Sequence, residues 1–337
     1  MNYTRSEAKD YAFENWHGVC NVILPSFTAD LKNINEAGIR HDVAHNIKQG
    51  FWGTLLVSEC GTTKEEMKRF MEIAVDEADG KHNFLLHGTF DTPEDIIEMS
   101  KIGESTGVDG LLLGHPNSFY PTTQNELYDY LVHVCNNTNL AVCLFAAGHW
   151  NYTRLHPSGY PPEVLARAAD LENVVAVKYE VARPGIAGDY EFWKMIRNKR
   201  VLFSDPFEAH SPLTVEMFGQ QWMGTSNYEY FGKRVPKYFK MLRNNQYDDA
   251  MEVYWSLQPV RATRVAVQGS FAGANFIHRY LWKYQAWLHG YNGGPMRQPV
   301  MKLTDAQMKA VREGLVRGGF KLPDEGPTEF YRGRNPA

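Results

Sequence analysis

Eight short runs of apolar and β-branched residues alternate with amphipathic stretches along this chain, and no other feature of the sequence constrains its fold as strongly. Short apolar runs separated by helical stretches predict parallel strands joined by crossover helices. The predicted strands are 19–24, 54–57, 84–86, 110–113, 141–145, 174–177, 201–203 and 222–225. The predicted helices are 36–48, 64–77, 93–105, 124–136, 162–169, 190–198, 208–218 and 232–244.

Eight strands, each followed by a helix, is the count of a (β/α)8 barrel. A doubly wound sheet would place a GxGxxG phosphate loop after its first strand, and that pattern does not follow 19–24. We therefore predict an α/β fold, a (β/α)8 TIM barrel with a C-terminal helical extension. The predicted organisation is an N-terminal extension at 1–17, the barrel at 18–245, further helices at 246–322 and a tail at 323–337.

Start signals support two of the predicted helices. Thr63 precedes one helix and Glu66 lies three residues later, which is the spacing of a capping box. Thr92 precedes Pro93, which places a capping residue before a proline at the first helical position. Beyond the barrel, the aromatic-rich stretch 268–289 is predicted to be helical.

The composition argues against several classes of partner. The chain of 337 residues has a net charge of -4 and 22% charged residues, so nothing indicates binding to nucleic acid or to a membrane. Residues 1–18 lack an apolar core flanked by basic residues, which predicts no signal peptide. The four cysteines show no CxxC spacing and are expected to be reduced and buried, as is usual in a cytoplasmic protein: Cys20, Cys60, Cys135 and Cys143.

The sixth predicted strand ends in a lysine. Active sites of (β/α)8 barrels lie at the carboxyl ends of the strands, and Lys178 follows the apolar run 174–177. Apolar surroundings favour the neutral amine, which can attack a ketone. The protonated imine that results draws electrons from a neighbouring C–C bond. From position alone, a structural lysine paired with an acid such as Glu180 or Asp205 is an open alternative.

Four motifs carry a resemblance to a known family. Their residues, each beside the family pattern, are Pro25-Ser26-Phe27-Thr28-Ala29-Asp30 (T-P-F-x-x-D), Gly107-Val108-Asp109-Gly110 with Pro116 and Pro121 (G-A-D-x and P-Y-Y-x-x-P), Asn173-Val174-Val175-Ala176-Val177-Lys178 (N-I-V-G-I-K), and Gly294-Pro295-Met296-Arg297-Gln298-Pro299 (G-P-x-R-x-P). In this order the chain resembles the dihydrodipicolinate synthase/N-acetylneuraminate lyase family of Schiff-base aldolases over about 18–322. The resemblance implies a catalytic Lys178, no cofactor besides the covalent imine, a 2-keto acid and an aldehyde as partners, and a homotetramer built as a dimer of dimers.

The loop after the second strand departs from the family pattern. The family has G-T-T-G-E there, and its threonines hold the carboxylate of the keto acid. Aligned without a gap, Ser58, Glu59 and Cys60 occupy the G-T-T positions, whereas a shifted alignment places Thr62 and Thr63 there. Both alignments stay open. A glutamate that faced a carboxylate would repel it, so Glu59 is expected to turn away or to serve another purpose.

The tyrosines of the family are also replaced. Phe145 stands where the family has a proton-shuttling tyrosine, and Ser118 stands where it has the second tyrosine of P-Y-Y. An arginine with which synthases grip the carboxylate of the aldehyde falls near His149 and Trp150. The resemblance therefore argues against a synthase of the lysine pathway.

One branch of the family is more similar to this chain. Hydratase-aldolases for aryl-substituted unsaturated pyruvates, such as trans-o-hydroxybenzylidenepyruvate, also lack the double tyrosine. They have a Lys-Tyr pair like Lys178-Tyr179 and an L-G-x-P segment like 113–116. The aromatic residues expected near the strand ends would suit an aryl or other apolar aldehyde, and they are Trp52, Phe119, Phe145, Trp150 and Tyr228.

These arguments define the predicted site. The predicted catalytic residues are Lys178, His149 and Tyr179, with His149 the first choice for the base because histidine titrates near neutrality. Tyr179, Glu59 and His115 are weaker candidates for the same task. The predicted substrate-binding residues are Ser58, Glu59, Cys60, Thr62, Thr63, Ser118, Phe145, Trp150, Asp205, Gly224 and Thr225.

Three alternatives remain open. A sugar-acid lyase or a dihydrodipicolinate-synthase-like enzyme would use the same lysine, and a polar pocket would favour it. A metal-dependent enzyme would draw three ligands from strand-end residues, although HxH and HxxxD spacings are absent and we predict no metal; these residues are Glu59, His87, His115, His149, Asp205 and His210. A barrel that binds keto acids without turnover would be favoured by a structure in which Lys178 is ion-paired with Glu180.

Overall fold

The sequence predicts eight parallel strands, and the computed structural model, which describes residues 2–181, 184–269 and 278–337, contains them. The strands of the described residues are β1 Gly18–Ile23, β2 Gly53–Leu56, β3 Asn83–Gly88, β4 Gly110–Leu113, β5 Ala141–Ala147, β6 Val174–Glu180, β7 Leu202–Ser204 and β8 Trp222–Gly224. They form one sheet in the order β7-β6-β5-β4-β3-β2-β1-β8. The fold is therefore a (β/α)8 barrel, nearly closed, with additional C-terminal helices.

A helix follows each strand, as the barrel pattern requires. The helices of the described residues are α1 Ala8–Asn15, α2 Glu36–Gln49, α3 Lys64–Ala78, α4 Pro93–Thr106, α5 Gln124–Asn136, α6 Pro162–Ala168, α7 Ile186–Ile196, α8 Ser211–Phe218, α9 Arg234–Arg243, α10 Tyr247–Ser256, α11 Gln258–Gly269, α12 Arg279–Leu288, α13 Asp305–Arg317 and α14 Pro327–Arg332. Of the predicted helix 268–289, residues 270–277 lie outside the described residues. No helix in the described part combines the length and the apolar character needed to cross a bilayer.

The local signals in the sequence explain where two helices begin. Thr63 accepts a hydrogen bond from the Glu66 backbone N–H, and the Glu66 side chain accepts one from the Thr63 N–H, which completes the predicted capping box of α3. Thr92 caps α4 through the N–H of Asp95, with Pro93 at the first position. Both predicted starts are confirmed.

Strands β5 and β6 run further than predicted. The pairing of β5 with β6 continues past the apolar run, through Phe145 opposite Lys178 and on to Ala147 opposite Glu180. Backbone pairing does not depend on the polarity of the side chains, so the sequence pattern could not reveal this extension. Lys178 therefore lies inside β6, two residues before its end.

By internal contacts the chain divides into two units, 1–20 with 83–225 and 21–82 with 226–337. In the first unit, every residue of β4 and β5 is buried. Trp16, which directly follows α1, is also buried, and its ring lies 5.0 Å from that of Trp222. In the second unit, polar side chains are buried but bonded to one another: Asn21 and Asn46 exchange hydrogen bonds of 2.6 and 2.7 Å. The domain boundaries at 17, 245 and 322 stay predictions.

Candidate active site

Lys178 is a buried lysine on β6. Only 6% of the surface of this residue is exposed to solvent, and the four residues before it on the strand are buried and apolar. Its ammonium nitrogen, Nζ, lies 2.9 Å from Oε2 of Glu180 and 4.0 Å from the centre of the Phe145 ring. The amine thus lies beyond a run of buried apolar residues, against an aromatic ring of the neighbouring strand, and has one carboxylate partner among the described residues.

The partner of Lys178 lies two residues further along the same strand. Side chains at positions i and i+2 of a strand point to the same face, so the side chains of Lys178 and Glu180 lie side by side. The Lys178 side chain is 7% exposed, whereas that of Glu180 is 33% exposed. An ion pair of this kind is the arrangement expected in a barrel that binds keto acids without turnover.

Aromatic side chains surround Phe145. The ring of His149 lies 5.6 Å away and that of Trp150 lies 5.9 Å away, both on the short 3₁₀ turn Gly148–Trp150 that follows β5. His149 itself is exposed, whereas Trp150 is half-buried. The structure thus brings two predicted substrate-binding residues and the predicted base to the same aromatic group beside Lys178.

Tyr179 lies on the other face of β6. Its ring stacks on Phe192 of α7 at 4.4 Å, and burial raises the pKa of its hydroxyl. Because successive side chains of a strand alternate between faces, Tyr179 points away from the side that holds Lys178 and Glu180. Its place in the structure is that of a packing residue between strand and helix.

His115, the weaker candidate base, is a fully buried histidine. Its Nε2 lies 3.0 Å from the Tyr160 hydroxyl, and its ring stacks on Phe119 at 5.6 Å. Burial, with the nearby His149 as a smaller cause, lowers its pKa to about 3. It is neutral at physiological pH and belongs to the packed aromatic layer, with Ser118 exposed on the turn beside it.

Asp205 follows β7 and is buried in a local cluster. Its carboxylate accepts a hydrogen bond of 2.8 Å from the Phe207 N–H and lies 2.7 Å from Nδ1 of His210. Burial raises the pKa of Asp205, its pairing with His210 lowers it, and the charge of Glu180 adds a smaller upward effect. Asp189 of α7 is close to both, and burial raises its pKa to about 7.

The cluster of Asp189, Asp205 and His210 is the grouping of the described residues that could hold a metal ion, with one ligand atom of each within 4.8 Å of the others. It contains two of the six residues named in the metal-dependent alternative. Asp205 is already bonded to the Phe207 N–H and to His210, and burial, with the charge of Asp205 as a smaller cause, raises the pKa of Asp189. We therefore assign it no function of its own.

The end of β8 is held by Ser204. The Ser204 hydroxyl donates to the Gly224 carbonyl at 3.0 Å and accepts from the Gly224 N–H at 3.1 Å. A side chain at Gly224 would lie 2.7 Å from the Trp222 ring, so glycine is required. Thr225 is buried, and its hydroxyl has no hydrogen-bond partner among the described residues.

The loop 58–63 belongs to the second unit, where its residues have distinct surroundings. Ser58 and Cys60 are buried, and burial raises the pKa of the Cys60 thiol to about 12. The Thr62 hydroxyl donates to the Ser58 carbonyl at 3.3 Å. Thr63 is exposed and its hydroxyl caps α3, so it is already occupied by a structural task.

Glu59 is paired with an arginine that the sequence analysis missed. Arg279 of α12 donates through Nη2 to Oε2 of Glu59 at 2.6 Å, and both side chains are less than a tenth exposed. The expectation that Glu59 serves another purpose than facing a carboxylate agrees with this pairing. No local signal could have identified Arg279, because 220 positions separate the partners.

Arg297, from the motif near the C-terminus, also secures this region. It forms two bonds to the Glu66 carboxylate, at 2.6 and 2.8 Å, and donates to the Gly61 carbonyl at 3.1 Å. A planar guanidinium suits such a two-point contact. The motif thus supports the loop 58–63 and the first turn of α3 within the second unit.

Comparison with known proteins decides the family. The model of the dihydrodipicolinate synthetase family matches residues 15–316. The chain belongs to this family. A 4-hydroxy-tetrahydrodipicolinate synthase of Acidothermus cellulolyticus is 25% identical over 319 residues, 92% of this chain and 95% of the relative. An N-acetylneuraminate lyase of Fusobacterium nucleatum is 22% identical over 304 residues, 88% of this chain and 97% of the relative.

Solved structures agree with the fold of the dihydrodipicolinate synthetase family. The N-acetylneuraminate lyase of Fusobacterium nucleatum aligns with a TM-score of 0.71 and 20% identity, over 90% of this chain and 98% of the other. The dihydrodipicolinate synthase of Oceanobacillus iheyensis aligns with a TM-score of 0.75 and 15% identity, over 92% and 98%. At such identities the likeness concerns the fold alone.

Membership in the dihydrodipicolinate synthetase family fixes the general chemistry. The chain is a Schiff-base lyase or synthase of aldolase type, and enzymes of this family use a covalent imine between a lysine and the substrate, with no external cofactor. Small keto acids are the substrates consistent with the family. The hydratase-aldolase branch suggested by the sequence is a finer assignment than membership provides.

Proposed function

We propose that Lys178 is the lysine that forms the Schiff base, and that its substrate is a pyruvate-like 2-keto acid. The supporting observation is the position of its amine: buried on β6, above an apolar run and against the ring of Phe145. A lysine amine is the nucleophile that forms imines with ketones, and this one is held against an apolar and aromatic surface.

The proposed cycle begins with attack of the Lys178 amine on the 2-keto group, with loss of water. The substrate either carries a hydroxyl at carbon 4 or gains one when water adds to a conjugated double bond. Removal of that hydroxyl proton breaks the bond between carbons 3 and 4, and the imine receives the electron pair. An aldehyde leaves, and hydrolysis of the remaining enamine releases pyruvate. We assign the removal of the hydroxyl proton to His149, which lies beside Phe145. Histidine is the residue type that most readily exchanges protons near neutral pH.

For the aldehyde, we favour an aryl or otherwise apolar group. Phe145, Trp150 and His149 present aromatic faces near Lys178, and no hydroxyl is available at position 145 to bind a polar partner. Trp52 and Tyr228, which were also expected near the strand ends, belong to the second unit. The enzyme would then be a hydratase-aldolase. We omit Tyr179 from the proposed machinery because it stacks on Phe192, on the opposite face of β6.

A second candidate has at least equal support. The relatives that align over most of this chain are named 4-hydroxy-tetrahydrodipicolinate synthase and N-acetylneuraminate lyase. A sugar-acid lyase, or a synthase of the dihydrodipicolinate type, would use the same lysine. The replacement of a tyrosine by Phe145 argues against the synthase in particular, since no hydroxyl is left there to shuttle a proton.

The ion pair of Lys178 with Glu180 favours a third candidate, a barrel that binds keto acids without turnover. In that case the ion pair would be structural, and the amine would not attack the ligand.

Release of pyruvate from a panel of substrates distinguishes the three candidates. The panel contains an aryl-substituted unsaturated pyruvate, its 4-hydroxy form, N-acetylneuraminate and a 2-keto-3-deoxy sugar acid. Pyruvate from the aryl compounds alone, lost in Lys178→Ala, is the expected result. Release from a sugar acid alone would establish the second candidate, and no release from any compound would support the third.

Several sequence predictions remain proposals alongside this one. They concern binding of the keto-acid carboxylate by residues of the loop 58–63, contacts with the substrate at Ser118, Asp205, Gly224 and Thr225, assembly as a homotetramer, and a cytoplasmic location. Thr63 is the weakest of the loop residues for this purpose because its hydroxyl caps α3.

A further inference from the structure

Formation of an imine needs a group that moves protons at the reacting nitrogen. The amine must lose a proton before it attacks, and the oxygen of the carbinolamine must gain one before it leaves as water. Phe145, whose ring lies 4.0 Å from the Lys178 Nζ, cannot do either. A titratable side chain within reach of Nζ could supply this step.

Glu180 has the required geometry. Its Oε2 lies 2.9 Å from the Lys178 Nζ, within the range for direct proton transfer. On the neighbouring strands β5 and β7, the residues paired with Lys178 and Glu180 in the described structure carry no acidic or basic side chain. Ala147 lies opposite Glu180 on β5, and Ser204 lies opposite Lys178 on β7.

Glu180 also differs from Lys178 in its exposure. Its side chain is 33% exposed and that of Lys178 is 7% exposed, so the carboxylate connects a buried amine with solvent. Asp205, the acid that follows β7, already accepts a hydrogen bond from the Phe207 N–H and is paired with His210. Tyr179 is on the opposite face. Glu180 is therefore placed both to exchange a proton with the amine and to replace it from water.

We propose that Glu180 is a catalytic residue that carries the proton into and out of imine formation at Lys178, in place of a tyrosine. This inference rests on the proposed role of Lys178. The Glu180 carboxylate takes one proton from the ammonium, and the neutral amine bonds to carbon 2 of the keto acid. One nitrogen proton moves to the former carbonyl oxygen, which gives a neutral carbinolamine. The Glu180 carboxylic acid then protonates that hydroxyl, the C–O bond breaks, and water leaves.

Atoms and charge balance over these reaction steps. An ammonium, a carboxylate and a ketone become a protonated imine, the same carboxylate and one water, so the total charge is unchanged. The regenerated carboxylate faces the positive imine nitrogen and stabilises it electrostatically. The ion pair that suggests a purely structural lysine is, on this account, the resting state of the catalytic pair.

The test compares Glu180→Gln and Glu180→Asp with the parent protein. Loss of ¹⁸O from carbon 2 of labelled pyruvate into water measures carbinolamine formation and dehydration together. Borohydride quenching at successive times, followed by intact-protein mass, measures the rate at which the imine forms. Glu191→Gln, which changes an exposed carboxylate on α7, is the matched control.

We expect Glu180→Gln to slow both rates by roughly a hundredfold, the usual size of a lost acid–base group. Glu180→Asp, which keeps the carboxylate, should recover part of the rate, and Glu191→Gln should match the parent. A Glu180→Gln protein that is folded and forms the imine as fast as the parent, or faster, would overturn the role of Glu180 while leaving Lys178 as the Schiff-base residue. A parent protein that shows neither exchange nor trapping would overturn both proposals.

Discussion

At the scale of single residues, Glu59 is a carboxylate in a loop where the family places carboxylate-binding threonines. The structure accounts for it with the buried ion pair to Arg279, 2.6 Å long. Removing one partner of a buried pair leaves a charge without its compensation, whereas replacing both partners by neutral groups can cost little.

Arg279→Met should therefore lower the free energy of unfolding by about 3 kcal/mol, the lower end of the range for breaking a buried ion pair. Urea unfolding at neutral pH is the measurement. The double variant Glu59→Gln with Arg279→Met should be more stable than Arg279→Met alone. Lys81→Met is the control, because Lys81 and Asp79 form an exposed pair that solvent screens, so its loss should leave the stability close to that of the parent. Equal losses in the single and double variants would contradict this account of Glu59.

The sequence predicted the residue on which the proposal depends but not the partners that define its surroundings. Lys178 could be found because it ends an apolar run, and Glu180 was recognised as a possible partner because it is two positions away. Arg279 could not be found, since its contact with Glu59 spans 220 positions. Tyr179 was assigned to the site through the resemblance of Lys178-Tyr179 to the Lys-Tyr pair of the hydratase-aldolase branch. The alternation of side chains along a strand places it on the other face.

At the scale of elements, the start of α3 decides what Thr63 can do. The predicted capping box is present, with reciprocal hydrogen bonds between Thr63 and Glu66, and Arg297 binds the Glu66 carboxylate. A hydroxyl that accepts from the first turn of a helix stabilises that helix, and this task alone accounts for a threonine at position 63.

Thr63→Ala should lower the free energy of unfolding by about 1 kcal/mol, the usual effect of losing a threonine cap. The concentration of pyruvate that gives half-maximal trapping by borohydride should stay unchanged. Thr63→Ser, which keeps a capping hydroxyl, should restore most of the stability. Weaker binding of pyruvate by Thr63→Ala, without a change in stability, would assign Thr63 to the carboxylate instead.

Boundaries of elements were predictable where side chains signal them and not elsewhere. Helix α5, Gln124–Asn136, matches its predicted range because Thr123 caps it and the apolar pattern ends with it. Helix α7 begins at Ile186 although 190 was predicted, since Gly185 before it carries no side-chain cap to mark the start. The extension of β6 through Glu180 follows from its pairing with β5, which the composition of the strand does not encode.

At the scale of the whole molecule, the alternation of eight apolar runs with helical stretches was enough to predict the (β/α)8 barrel. The strand order follows the order of the chain, with β8 beside β1, which is the simplest closure of such an alternation. The family could also be predicted, from four short motifs in the right order. The reaction partner could not, because it depends on how side chains distant in sequence meet.

The central claim is that Lys178 forms a Schiff base with a 2-keto acid. The measurement that tests it most directly is the mass of the intact protein after borohydride reduction in the presence of pyruvate. The parent protein should gain the mass of one reduced pyruvate. Lys178→Ala and Lys178→Met, both checked for native folding by their thermal unfolding, should gain nothing. A parent protein without any adduct, with pyruvate and with larger keto acids, or an adduct that persists in both variants, would contradict the claim.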